Sequence, residues 1–208
     1  MRWTHGIWLG VVPLALAQGC RPARDSADSP PHKSVVLGAV INPPVVRPDI
    51  QMTSTDGSTY DFGARTRGRV TLITFGYTHC PDVCPVHMAN IAAALKRLTP
   101  EQRAQVSVVF VTTDPTRDSL PQLRRWLDSF DTTFVGLRGT DSQLAAMERA
   151  FHIPPAQREY LPGGGYAVGH SAQVFAFTPD DSAHVIYLPG MSSDDYVHDI
   201  PYLLRGEF

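Results

Sequence analysis

The chain has 208 residues, a formal net charge of -2, 43% hydrophobic and 18% charged residues. That charge gives no pull toward nucleic acid or an anionic surface, and the hydrophobic share suits one soluble domain with a real core. Three cysteines are too few for a disulfide-built scaffold, so any sulfur chemistry is local.

The first residues, "MRWTHGIWLGVVPLALAQGC", carry Arg2, an apolar run from Gly6 to Ala17, and the small residue Gly19 before Cys20. The run is shorter than the ~20 apolar residues of a membrane span, and the anatomy is that of a signal peptide over residues 1–19. A cysteine at that junction resembles a bacterial lipoprotein lipobox, which makes Cys20 the expected lipidated residue of the mature chain. The competing reading is an ordinary cleaved signal, or an anchor broken by Pro13. Residues 20–33 are rich in Pro, Asp and Ser and read as a flexible tether. The domain is expected over residues 34–208.

Interrupted apolar pieces between Ser34 and Pro48 predict irregular or edge-strand structure, and "IQMTSTDGSTYDF" predicts a hairpin turning at Asp56-Gly57. The β-branched run from Arg69 to Phe75 predicts a buried central strand. A helix follows, with Met88, Ile91, Ala92, Leu95 and Leu98 on one face. Val106 to Asp114 predicts a second central strand. Leu120, Leu123, Trp126, Leu127 and Phe130 mark the next helix, with Ser119 as its cap and Pro121 in its first turn.

"TFVGLRG" predicts a third strand and "DSQLAAMERAF" another helix, with Leu144, Met147 and Phe151 inward. The stretch from Pro154 to Val168, with its prolines and Gly163–Gly165, predicts a long loop without regular structure that moves over the site. Two strands joined by a turn at Pro179 to Ser182 follow, then a closing helix capped by Ser193. This order predicts an α/β protein with a central mixed sheet flanked by helices. It is the layout of a thioredoxin-like fold with an N-terminal hairpin addition.

The chemistry concentrates in "TFGYTHCPDVCPVHM", where Cys80 and Cys84 stand four positions apart between a strand and a helix. A helix N-terminus stabilises a thiolate, and sulfurs about one turn apart can close a disulfide or share one ion. Structural zinc needs four ligands, and there is no second cysteine pair. Two thiolates on a soft metal call for a third ligand. His79 and His87 flank the pair, but for each an ordinary solvated or hydrogen-bonded role outweighs ligation. His170 differs, because in a thioredoxin-like fold its loop approaches the cysteines. Met88 reads as core rather than as a metal ligand.

"FGYTHCPDVCP", "VTTDPTRDS" and "GHSAQVFAF" together resemble the three motifs of the Sco/SenC family, over roughly Ile50 to Leu204. Its members are thioredoxin-fold copper chaperones of cytochrome c oxidase assembly. The resemblance implies that Cys80, Cys84 and His170 bind copper, as Cu(I) or Cu(II), for delivery to the CuA centre of oxidase subunit II. It also implies a periplasmic copper donor and a thiol reductant as partners, at the periplasmic face of a bacterial membrane. Gly169 departs from the Asp that many members carry before the histidine.

Asp82 and Asp114 read as residues supporting the site, and Arg117 beside Asp114 likewise; turn capping and a surface ion pair are the bland alternatives. The same two cysteines could form a redox-active disulfide, which would make the protein a thiol–disulfide oxidoreductase reducing the oxidase's copper-site cysteines. A peroxidase and a purely structural disulfide fit less well: no arginine-bearing peroxidatic motif is present, and a staple does not explain the nearby histidines.

Overall fold

The apolar runs Val70–Gly76 and Val106–Thr112 lie side by side as parallel strands, in register from Val70 opposite Val106 to Gly76 opposite Thr112. Nearly every residue of both is buried, as a strand covered on both faces requires. Their side chains divide by parity. Val70, Leu72, Val106, Val108 and Phe110 face one core, while Ile73, Phe75, Val109 and Val111 face the other.

The structure is a computed structural model that describes residues 1–3 and 35–208. Cys20, the tether, and the expected signal peptide beyond residue 3 lie outside the described residues. In chain order the elements are β1 (Ala39–Val46), β2 (Gln51–Ser54), β3 (Thr59–Asp61), α1 (Phe62–Thr66), β4 (Val70–Gly76), α2 (Val83–Leu95), α3 (Pro100–Ala104) and β5 (Val106–Thr112). They continue with α4 (Leu120–Asp128), β6 (Val135–Arg138), α5 (Asp141–Ala150), β7 (Gln157–Tyr160), β8 (Tyr166–Gly169), β9 (Val174–Phe177), β10 (Ser182–Tyr187) and α6 (Ser193–Arg205).

The main sheet runs β1-β10-β9-β4-β5-β6-β2-β3. Crossover helices make β4, β5 and β6 parallel, and the tight turn before β10 makes β9 and β10 antiparallel, as the sequence predicts. The N-terminal hairpin extends one edge by pairing β2 against β6, while β1 covers the opposite edge along β10. Gly57, at φ +84°, turns the hairpin.

Helices α2, α4 and α6 contribute Met88, Ile91, Leu123, Leu127 and Ile200 to the first core. On the other face Phe151 is ringed by Phe75 and Phe175 at 5.1 Å and by Phe177 at 5.7 Å, all edge-on. Each such side chain contributes about 1.5–3 kcal/mol by burial.

Three details differ from the sequence expectations. Residues 157–169 are not irregular: β7 and β8 form a two-stranded ribbon apart from the main sheet, reversed by Gly164 and Gly165 at φ +90° and +78°. Ser192, not Ser193, caps α6, because Asp195 then completes a capping box by reaching back to the Ser192 amide. The short helices α1 and α3 are additional, each started by a side-chain cap, Asp61 and Thr99.

Candidate metal centre

Strand β4 ends at Gly76, and the chain turns at once, with the Cys80 amide donating to the Tyr77 carbonyl at 3.1 Å. Asp118, wholly buried, clamps this turn. It accepts from the Thr78 amide at 2.9 Å and hydroxyl at 2.7 Å, and from the Thr112 hydroxyl at 2.6 Å. Helix α2 then begins at Val83, which puts Cys84 in its first turn and buries it, while Cys80 stays half-buried before the helix. Met88 is fully buried core, as expected.

His170 follows β8 directly. Its Nδ1 lies 2.8 Å from the Ser171 carbonyl, and since a carbonyl can only accept, Nδ1 carries the proton. Nε2 is thereby left facing Cys84, 3.5 Å from its Sγ. The Tyr77 ring packs edge-on against the imidazole with centroids 5.7 Å apart. Thr74 on β4 donates to the Gln173 carbonyl at 3.1 Å and fixes the segment leading into β9.

The ligand atoms of Cys80, Cys84 and His170 all lie within 4.8 Å of one another, the one such cluster among the described residues. Thiolate and imidazole bonds to a borderline-soft ion are about 2.3 and 2.0 Å long, so these donors need little movement to share one ion.

The two sulfurs are electrostatically unequal. Cys80 is held well below the ordinary thiol value, chiefly by the hydrogen bond from Cys84 and further by His170 and the amides of Asp82 and Cys84, against its burial. Cys84 is pushed far up by that same hydrogen bond and by burial, with the Cys80 and Asp118 charges adding to it. Burial opposes a charged His170, but its bonds to the Cys80 thiolate and the Ser171 backbone outweigh that and raise its pKa. When no ion is bound, the Cys80 thiolate is therefore held by the Cys84 thiol and the His170 ring together.

The other sequence candidates divide. His79 is exposed, its Nδ1 3.2 Å from the Thr78 hydroxyl oxygen and 3.7 Å from Asp118. His87 is buried on α2 with neither ring nitrogen in a well-formed hydrogen bond, and burial lowers its pKa although the Ala172 backbone favours its charged form. Asp82 is the exposed N-cap of α2 without a side-chain capping bond; it reaches Cys80 through its backbone amide. Asp114 is fully buried and paired with Arg117, and it accepts from the Tyr166 hydroxyl at 3.0 Å. Sequence reasoning gave no role to Asp118, Tyr77 or Tyr166. Only the doubled Asp of "DPTRD" signalled that one turn anchors two things.

The profile of the SCO1/SenC family matches residues 40–205. The chain belongs to the SCO1/SenC family. A Stutzerimonas stutzeri protein named for copper binding is 31% identical over 162 residues, covering 76% of this chain and 77% of its own length. The human mitochondrial SCO2 homolog is 30% identical over 55% of this chain. The chain spans only 43% of that relative and 34% of the Arabidopsis thaliana mitochondrial SCO1 homolog. Among solved structures, apo Sco1 of Thermus thermophilus superposes with a TM-score of 0.73 at 27% identity, over 83% of this chain and 99% of that one. ScoI of Bradyrhizobium japonicum with copper bound gives 0.68 at 26%, over 76% and 99%. These SCO1/SenC structures share the thioredoxin-like architecture described above.

Proposed function

We propose that this SCO1/SenC protein carries one copper ion on Cys80, Cys84 and His170 and delivers it to the CuA centre of cytochrome c oxidase subunit II. The observation that carries the reading is the convergence of two sulfurs and one imidazole nitrogen within 4.8 Å. Thiolates suit Cu(I) and imidazole suits both copper oxidation states, so a Cys–Cys–His set can hold the ion through a change of charge. Three donors also leave one side open for an incoming ligand, which a carrier needs and a structural site does not. Copper entry displaces the proton of Cys84 and competes with protons for the His170 nitrogen, so retention weakens as pH falls.

We place the protein, as part of this reading, on the periplasmic face of a bacterial membrane, exported by residues 1–19 and anchored through a lipid on Cys20. Among the described residues no helix is long and apolar enough to cross a membrane. A periplasmic copper donor loads it, and a thiol reductant keeps the cysteine pair open.

An anaerobic copper titration of the reduced chain from Ser34 onward tests the carrier reading. One tightly held copper per chain, with Cu(II) retention weakened in His170→Ala, is expected; weak or absent binding overturns it.

The inequality of the two sulfurs favours a second reading, thiol–disulfide exchange. The Cys80 thiolate would attack a partner disulfide, and Cys84 would then resolve the mixed disulfide. Two electrons pass to the partner, the Cys80–Cys84 disulfide forms, and an external thiol must reduce it again. Exchange that survives in His170→Ala while Cu(II) retention is lost would separate this activity from the carrier role.

A further inference from the structure

The ribbon that ends at His170 has little of its own to hold it in place. Residues Gln157–Tyr160 of β7 are all exposed, β8 pairs only with β7, and an isolated two-stranded hairpin is marginal in water. Its attachments come largely from the turn after β5. Arg117 donates from Nη1 to the Tyr166 carbonyl at 2.9 Å, and its guanidinium lies 3.7 Å from the centre of the Tyr166 ring. Its Nε pairs with the buried Asp114, which also accepts the Tyr166 hydroxyl. From β7, Arg158 returns to the same turn, donating to the Thr116 hydroxyl at 2.5 Å.

The same turn holds the other half of the site. Asp118, four residues after Asp114, clamps Thr78, two residues before Cys80. Tyr166 is four residues before His170. Arg117 also lies 5.4 Å from the centre of the Tyr77 ring, and that ring packs on His170. One five-residue turn therefore grips the cysteine loop with Asp118 and the histidine ribbon with Asp114 and Arg117.

We propose that the Asp114–Asp118 turn sets the spacing between the imidazole and the two sulfurs, with Arg117 as the positioning residue that holds the His170 ribbon closed. The inference rests on the copper-carrier reading for its consequence, though the latch itself does not. With the ribbon loosened, the imidazole drifts while both thiolates stay in place. Cu(II), which relies on the nitrogen donor, is then released faster, and Cu(I), held by two thiolates, is not.

The test compares the full chain in detergent with Arg117→Gln and Tyr166→Phe. Tyr166→Phe keeps the ring under Arg117 but removes the bond to Asp114. Without copper, amide exchange of residues 157–169 should accelerate in Arg117→Gln while α2 and β4 keep their protection. With copper, Cu(II) release to a chelator should accelerate roughly tenfold or more, the usual scale for a lost supporting contact, with Cu(I) release within about twofold of wild type. Tyr166→Phe should shift both readings the same way by less, and it decides the matter if Arg117→Gln fails to fold.

Unchanged ribbon exchange overturns the latch. Equal acceleration of Cu(I) and Cu(II) release, together with a general loss of protection, overturns the positioning role in favour of a merely structural one. A wild type that binds neither copper form brings down the carrier reading and the copper consequence with it, while the exchange data still decide the latch.

Discussion

The Cα of Gly76 faces Cys84 so closely that a Cβ built there would stand 2.6 Å from its Sγ and 3.0 Å from the Phe110 ring. Strand β4 thus ends on glycine because the Cys84 sulfur occupies the space where a side chain would be. Gly76→Ala should destabilise the fold by about 1–3 kcal/mol through overpacking, and should weaken copper retention by moving Sγ. Urea unfolding and copper titration on the same variant check this. Wild-type values in both would mean that the neighbouring side chains yield without cost.

Asp118 gathers three donors in a site closed to water. Asp118→Asn exchanges one accepting oxygen for an NH2 group, which cannot accept from Thr78 or Thr112. A stability loss of about 1–3 kcal/mol is expected, the scale for an unsatisfied buried donor, with faster amide exchange at Thr78 and Cys80. A denaturant midpoint equal to wild type would show that the loop is held by something else.

Phe151 lies on the opposite side of the sheet from α2, so its removal separates stability from function. Phe151→Ala should cost about 3–5 kcal/mol, since the cavity would open among Phe62, Phe75, Phe175 and Phe177. The protein that stays folded should still bind one copper with wild-type affinity. A parallel fall in copper affinity would mean that the far core tunes the site through β4.

The central sheet was legible because β4 and β5 are short runs rich in β-branched residues, the composition of a strand buried on both faces. Ser119 announced its helix by its position before Pro121, and it does accept from the Gln122 amide. The β7–β8 ribbon was hidden, since "QREY" carries no alternating apolar face and follows two prolines. Its order comes from Asp114, Arg117 and Arg158, contacts no local pattern encodes. Helix α3 was missed although Thr99 and Gln102 form a capping box, a signal outweighed by its five-residue length. At the site, the CxxxC spacing announced the sulfurs and the fold selected His170. The roles of Asp118 and Tyr77 required knowing what the turn after β5 touches.

The inequality of the two sulfurs predicts a pH dependence with a definite sign. Cys80 is depressed first by the Cys84 hydrogen bond and then by His170, so its thiolate persists well into acid, where a free cysteine, near 8.5, is protonated. Alkylation of the reduced, metal-free protein by iodoacetamide, followed at Cys80 by mass spectrometry, should therefore reach half its limiting rate far below that value. Cys84→Ala removes the larger stabilising contact and should move the half-rate pH upward. His170→Ala should move it the same way by less. The depressed pKa also means that the thiolate's contribution to stability is fully present above the unfolded thiol value and is lost as pH falls toward the folded one. A wild-type half-rate near 8.5, or equal profiles in all three proteins, would show that the sulfurs do not share a proton in this way.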